Sequence, residues 1–261
     1  MLHDKFVVEE RYMEPRARKA LYRTAVLLVV AGLVLFLATL ISVLRKDGLA
    51  SADDEQTQWL VSIRSEPMTT AMIIVAIVFG PVAMPVVVFV VTATWVIVAK
   101  HAWRPVLLAG AMLTGVGLAQ VISRSVGRPR PPVELMLFGA DYTFSFPSGH
   151  VLGASNFLLI TTFLVFSRHK NPKAAVLSFI VAAACVVLTT VCRLYLGYHW
   201  VSDAIASVSL SLVVLGGVIA LDTWRTARVP GEDVTGDWSV VEPAGTSESG
   251  AAEGAGDGQE I

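Results

Sequence analysis

Three ionisable side chains stand in the stretch CRLYLGYHWVSDA, residues 192 to 204, between two segments apolar enough to lie in a lipid bilayer. His199 and Asp203 are four residues apart, so on a helix they share one face and the carboxylate can hold the imidazole. With one ring nitrogen donating to Asp203, the other keeps its lone pair for attack, as a histidine nucleophile requires. Arg193 adds a fixed cation nearby. A second group lies in SRSVGRPRPP, residues 123 to 132, where prolines stiffen the backbone around Arg128 and Arg130. Guanidinium forks suit phosphate oxygens. A third group, FSFPSGHVLG at residues 144 to 153, reads as a helix start: Ser148 caps, Gly149 lets a ligand near the backbone, and free amides attract an anion. His150 in the same turn is a separate proton donor. Such a set suits in-line displacement at phosphorus, with Arg130, Arg193 and the amides near Ser148 and Gly149 taking up charge on the equatorial oxygens.

The elements that must bring these groups together are membrane helices. Of 261 residues 54% are hydrophobic and 16% charged, with a mean hydropathy of +0.65, which excludes an ordinary soluble domain. Charge-free runs near the 20 residues needed to cross a bilayer cover 24–44, 67–99, 105–123, 142–167, 174–192 and 204–221. The first is too long for a cleavable signal core and reads as a retained anchor. The second contains Gly80, Pro81 and Pro85, so it forms either one long kinked span or a hairpin of two. Counted as one span, it leaves 13 of 20 basic residues on the side of the termini; counted as a hairpin, it splits them 10 to 10. The positive-inside bias therefore favours six spans. The expected fold is all-α: a polytopic membrane protein with six transmembrane helices in one bundle, both termini cytoplasmic, in the cell membrane, and all three groups at the outer end.

On this reading residues 1–23 form a basic cytoplasmic segment, 24–222 the membrane domain, and 223–261 an acidic disordered tail with no lysine or arginine from Glu232 onward. Cys185 and Cys192 would stand about 10 Å apart along one helix, beyond disulfide reach. No His and Cys cluster has metal-ligand spacing and no glycine-rich nucleotide loop appears, so neither a metal nor a cofactor is expected, and nucleic acid is not an expected partner. Taken singly, each motif has an ordinary reading: a snorkelling arginine, a basic lipid-facing loop, a structural His–Asp hydrogen bond. Their convergence on one face of the membrane is what points to a site.

The residues resemble the type 2 phosphatidic acid phosphatase superfamily of membrane lipid phosphatases, whose motifs run K-x6-R-P, P-S-G-H and S-R-x5-H-x3-D. Pro147-Ser148-Gly149-His150 matches the second in full, Arg193, His199 and Asp203 keep both spacings of the third, and Arg130-Pro131 closes the first. The resemblance spans roughly residues 24 to 222. It implies a transiently phosphorylated His199, a leaving group protonated by His150, and no metal. Two positions depart from it. Ser123 stands where the family has lysine, with Arg124 and Arg128 as candidate replacements for that phosphate contact, and Cys192 stands for the serine of the third motif. The expected activity is removal of a terminal phosphate from a lipid mono- or diphosphate: a polyprenyl diphosphate, phosphatidic acid or phosphatidylglycerol phosphate. The alternatives are a phosphotransferase using the same histidine with an alcohol acceptor, and a non-catalytic lipid-phosphate binder or transporter. The expected partners are the lipid phosphate and the bilayer.

Overall fold

The computed structural model describes residues 5–168, 171–234, 236 and 238–241. Eight helices dominate it: α1 (Pro15–Arg45), α2 (Asp53–Ser62), α3 (Glu66–Val78), α4 (Ala83–Val98), α5 (Trp103–Val126), α6 (Gly149–Phe166), α7 (Pro172–Tyr195) and α8 (Val201–Thr226). Five of them, α1 and α5 to α8, are long and apolar enough to cross a membrane. The helices α3 and α4 pass the same test as a pair bent by 47° at the run holding Gly80 and Pro81, so the described residues hold five spans, or six with the bent pair counted as one. Pro85 falls in the first turn of α4, where its missing N–H leaves no helical hydrogen bond unmade. The outward faces are hydrocarbon. On α7, Val176, Leu177, Ile180 and Val187 are each at least 60% exposed, which is tolerable only against lipid. This is a membrane protein.

The span expected over residues 142–167 begins later, at Gly149. Residues 142–148 run as a loop, because Pro147 and the capping Ser148 mark the true helix start while the aromatic residues before them only mimic span composition.

The first and last spans form the seam that closes the bundle. A Cβ on Gly32 of α1 would lie 2.6 Å from the Ser209 carbonyl, and one on Gly216 of α8 would lie 2.7 Å from the Ala25 carbonyl. Each glycine lets the other helix's backbone approach, the usual means of gaining packing where lipid offers no hydrophobic drive. Gly216→Ala is expected to overpack the seam at a cost of roughly 1–3 kcal/mol, read as a lower Tm in detergent. Gly217→Ala, where a Cβ meets nothing within 4 Å, should leave Tm unchanged or raise it slightly.

Away from the site, strand β1 (Val8–Tyr12) lies between two parallel partners, β2 (Ala227–Arg228) and β3 (Ser239–Val241). Glu10, 1% exposed, meets Arg225 at 2.8 Å and Arg228 at 2.7 Å. The expectation of a disordered tail from residue 223 is corrected here for the described residues: α8 continues to Thr226, and β2 and β3 pair with the N-terminal strand, where buried Glu10 meets its cationic partners. Residues 242–261 lie outside the described residues. Lys5 donates to the Val96 and Ile97 carbonyls at the end of α4, where the helix dipole favours a cation. The first and last described segments therefore gather at the end of the bundle opposite the first turns of α6 and α8.

Candidate active site

The predicted residues meet where α5 and α7 end and α6 and α8 begin. His199 occupies the link between α7 and α8 and is 3% exposed. Its Nδ1 lies 2.9 Å from the Ser145 carbonyl oxygen and 3.4 Å from Oδ2 of Asp203. A carbonyl only accepts, so Nδ1 carries the proton and donates to it. The lone pair is thereby fixed on Nε2, which accepts from Nη1 of Arg130 at 3.0 Å. Burial pushes the His199 pKa down to about 4, the hydrogen bond donated to Asp203 pulling the other way and the charges of Arg193 and Arg130 adding to the fall. The ring is neutral at physiological pH.

Arg130 is held on all sides. Its Nη1 also donates to the Tyr198 carbonyl at 2.7 Å, Nη2 donates to the Thr143 hydroxyl at 2.9 Å, and Asp141 Oδ2 lies 3.0 Å away. Burial is the largest influence on the Asp141 carboxyl and raises it, but hydrogen bonds from Thr143 and the charge of Arg130 together hold it below the usual range. Arg193, in the last turn of α7 and 4% exposed, stacks its guanidinium 4.3 Å from the centre of the Tyr198 ring. Arg193, Asp141, Tyr198 and His150 line one cleft of about 490 Å³.

His150 stands in the first turn of α6 with its Nε2 turned toward Gly80, where a Cβ would lie 3.7 Å away, so the elbow of the broken span borders the site. It makes no hydrogen bond to the described residues. Ser148 caps α6, its hydroxyl accepting from the Val151 amide at 3.5 Å and its carbonyl accepting from Ser207 at 3.1 Å. Gly149 is exposed, and a Cβ there would meet nothing within 4 Å, so this helix end opens onto free space. Cys192 donates to the Met72 carbonyl at 3.0 Å and ties α7 to α3.

Asp203 has more partners than the sequence shows. Its Oδ1 accepts from Arg128 at 2.6 Å and its Oδ2 accepts from the Trp200 amide at 3.0 Å, closing the first turn of α8. The other nitrogen of Arg128 pairs with Asp53 at 2.7 Å, and Ser202 lies between them, accepting from Arg128 at 2.7 Å. Arg128, one of the two candidates for the missing lysine contact, therefore directs its donors at two buried carboxylates that require a charge partner. Arg124, the other, is exposed on the last turn of α5 and lines neither cleft that reaches His150. Asp53, Asp141, Tyr198 and the Ser145 carbonyl belong to the cluster although no motif contains all of them. Asp53 is the first residue of a helix in the loop after span one, and a lone acid there gives little signal by itself.

Known proteins resemble this chain in sequence and in fold. The sequence profile of the PAP2 superfamily matches residues 104–227, a segment containing all three motifs. Phosphatidylglycerophosphatase B of Bacillus subtilis (strain 168) is 27% identical over 189 residues, covering 70% of this chain and 89% of the relative. A crystal structure of the transmembrane PAP2 type phosphatidylglycerolphosphate phosphatase from Bacillus subtilis superposes with a TM-score of 0.65 at 27% identity, covering 74% of this chain and 96% of the other. The motif-bearing helical bundle is thus similar to the PAP2 superfamily in sequence over residues 104–227 and to a transmembrane PAP2 phosphatase in fold.

Proposed function

We propose that this phosphatase removes the terminal phosphate of a phospholipid monoester, of which phosphatidylglycerol phosphate is the leading candidate, through a phosphorylated His199. The observation that carries the proposal is the tautomer of His199: Nδ1 is committed to the Ser145 carbonyl, and Nε2 presents its lone pair beside Arg130. The phosphate enters the cleft between Arg193 and Arg130, near the open helix end at Ser148 and Gly149. Arg130 shifts its donor from Nε2 to a phosphate oxygen, and Nε2 attacks phosphorus as the bond to the lipid oxygen breaks. His150 gives that oxygen its proton. A water that has passed its proton to His150 then attacks the phosphohistidine, releasing inorganic phosphate and restoring neutral His199. Asp203 and Arg128 act as positioning residues behind the ring.

The name of the Bacillus relative supports the choice of substrate. The charge distribution supports the orientation proposed, with a cytoplasmic end opposite the site and the site facing outward: Arg11, Arg16, Arg18, Lys19, Arg23, Lys100, Arg104, Arg225 and Arg228 lie toward the end opposite the site.

Phosphate release from phosphatidylglycerol phosphate, phosphatidic acid and undecaprenyl diphosphate, measured in detergent with and without EDTA, tests the reading. Because arginines and helix-end amides meet the phosphate charge, EDTA is expected to leave the rate within about twofold, and vanadate, which adopts the five-coordinate shape of the transition state, should inhibit. Activity lost to EDTA and restored by magnesium would point to a metal-assisted mechanism instead. Transfer to an added alcohol without phosphate release would identify a phosphotransferase, and binding without turnover a transporter or binder.

A further inference from the structure

His150 borders a second space besides the polar cleft: a groove of about 620 Å³ between the α3–α4 elbow, α5 and α6, walled by Phe79, Met84, Val88, Met112 and Val116. A phosphate held in the cleft would leave its lipid portion in this groove. The groove is mostly hydrocarbon, its polar lining being Thr92, Gln120, His150 and, deep on α6, Asn156. Asn156 lines it, is 1% exposed, and has neither its Nδ2 nor its Oδ1 hydrogen-bonded within the described structure. Across the groove, the hydroxyl of Thr92 on α4 is likewise buried and unpartnered, although a helical threonine can ordinarily bond its own backbone. The Asn156 amide is seated against Gly115 of α5, where a Cβ would stand 2.2 Å from Nδ2, so the space beside it depends on the absence of a side chain.

An unsatisfied amide at membrane depth costs free energy unless a ligand completes it. The position of this one indicates which ligand. Asn156 follows His150 by six residues on α6, about 9 Å along the helix. At that distance from its phosphate a phosphatidyl lipid presents the carbonyls of its acyl esters, whereas an isoprenyl phosphate presents only hydrocarbon. The amide N–H can donate to an ester carbonyl, and neither an ether oxygen nor an alkene is a comparable acceptor.

We propose that Asn156, with Thr92 in the lining of the same groove, reads the acyl ester of a diacylglycerol-based phosphate lipid, and that the groove thereby selects glycerophospholipids over isoprenyl phosphates. The inference rests on the phosphatase reading above and adds to it the class of lipid.

The test uses full-length protein in mixed micelles with dioleoyl phosphatidylglycerol phosphate, its dialkyl ether analogue and farnesyl diphosphate. Wild type is expected to show a KM for the diester roughly five- to tenfold below that for the diether, the scale of one hydrogen bond. In Asn156→Leu that preference should collapse to within about twofold, with Thr92→Val moving it partway. Exchange of an unpaired buried amide for hydrocarbon should also leave Tm equal or higher. Equal KM values for diester and diether in wild type, or an ester preference that survives Asn156→Leu, would overturn the proposal. So would a marked fall in the Tm of Asn156→Leu, which would make the amide a packing element. If wild type releases phosphate from none of the three lipids, the phosphatase reading itself fails, a result distinct from turnover without ester preference.

Discussion

His199→Ala is expected to lower lipid phosphate turnover by at least roughly a thousandfold and to remove any acid-labile phosphoenzyme, because the variant has no nucleophile left to split the displacement into two steps. His150 is the other imidazole in the site, but no neighbour among the described residues fixes its tautomer, and its Nε2 turns toward the Gly80 elbow. His199→Gln should fail equally, since an amide can keep a hydrogen bond to Ser145 but cannot attack phosphorus. The measurement is single-turnover phosphate release, with radiolabelled phosphate trapped on the protein in alkali and lost in acid. Retention of more than about 1% of wild-type kcat by either variant, with Tm preserved, would remove His199 from the nucleophile role.

Arg128→Ala should be the most destabilising of the arginine substitutions at this end of the bundle. It would leave Asp53 and Asp203, whose side chains are 4% and 0% exposed, as neighbouring buried carboxylates without their shared cation. Breaking such a pair by removing one partner costs roughly 3–5 kcal/mol, for a drop in Tm on the order of 10 °C. Turnover should fall as well, because Asp203 would no longer be held against the first turn of α8 behind His199. The double variant Arg128→Ala with Asp53→Asn should recover part of the loss in Tm, which a simple packing defect would not do. Arg124→Ala should stay close to wild type in both measurements. Full stability of Arg128→Ala together with a large loss in KM would instead return Arg128 to the phosphate.

The motif residues were legible because they follow local rules. His199 and Asp203, four residues apart, come within 3.4 Å although His199 lies in the link before α8 and not on a helix face, a proline followed by a capping serine marks the start of α6, and apolar run lengths mark the spans. What could not be read from the chain is long-range pairing. The atom nearest Nδ1 of His199 is the Ser145 backbone carbonyl, and backbone atoms carry no residue-type signature. Arg128 and Arg130 are two residues apart in an extended proline-rich run and look equivalent in sequence. Asp53, from another part of the chain, draws the first away while Asp141 and Thr143 hold the second. No motif marks Asn156 in the sequence; its significance comes from the groove it lines, and that groove exists only once α3 to α6 are packed.

The seam between α1 and α8 also has a meaning in time. Gly32 and Gly216 are separated by 184 residues, 216 minus 32, so the first helix to be synthesised must wait for the last before its small-residue face is covered. At about 5–20 residues per second that interval lasts on the order of 10–40 s. Throughout it α1 resides in lipid without its partner while the intervening helices insert and find one another. The nascent protein is thus an open bundle until its final span leaves the ribosome. A stop codon in α8 before Gly216 would therefore cost the protein its closure, because the α8 half of the seam would be missing.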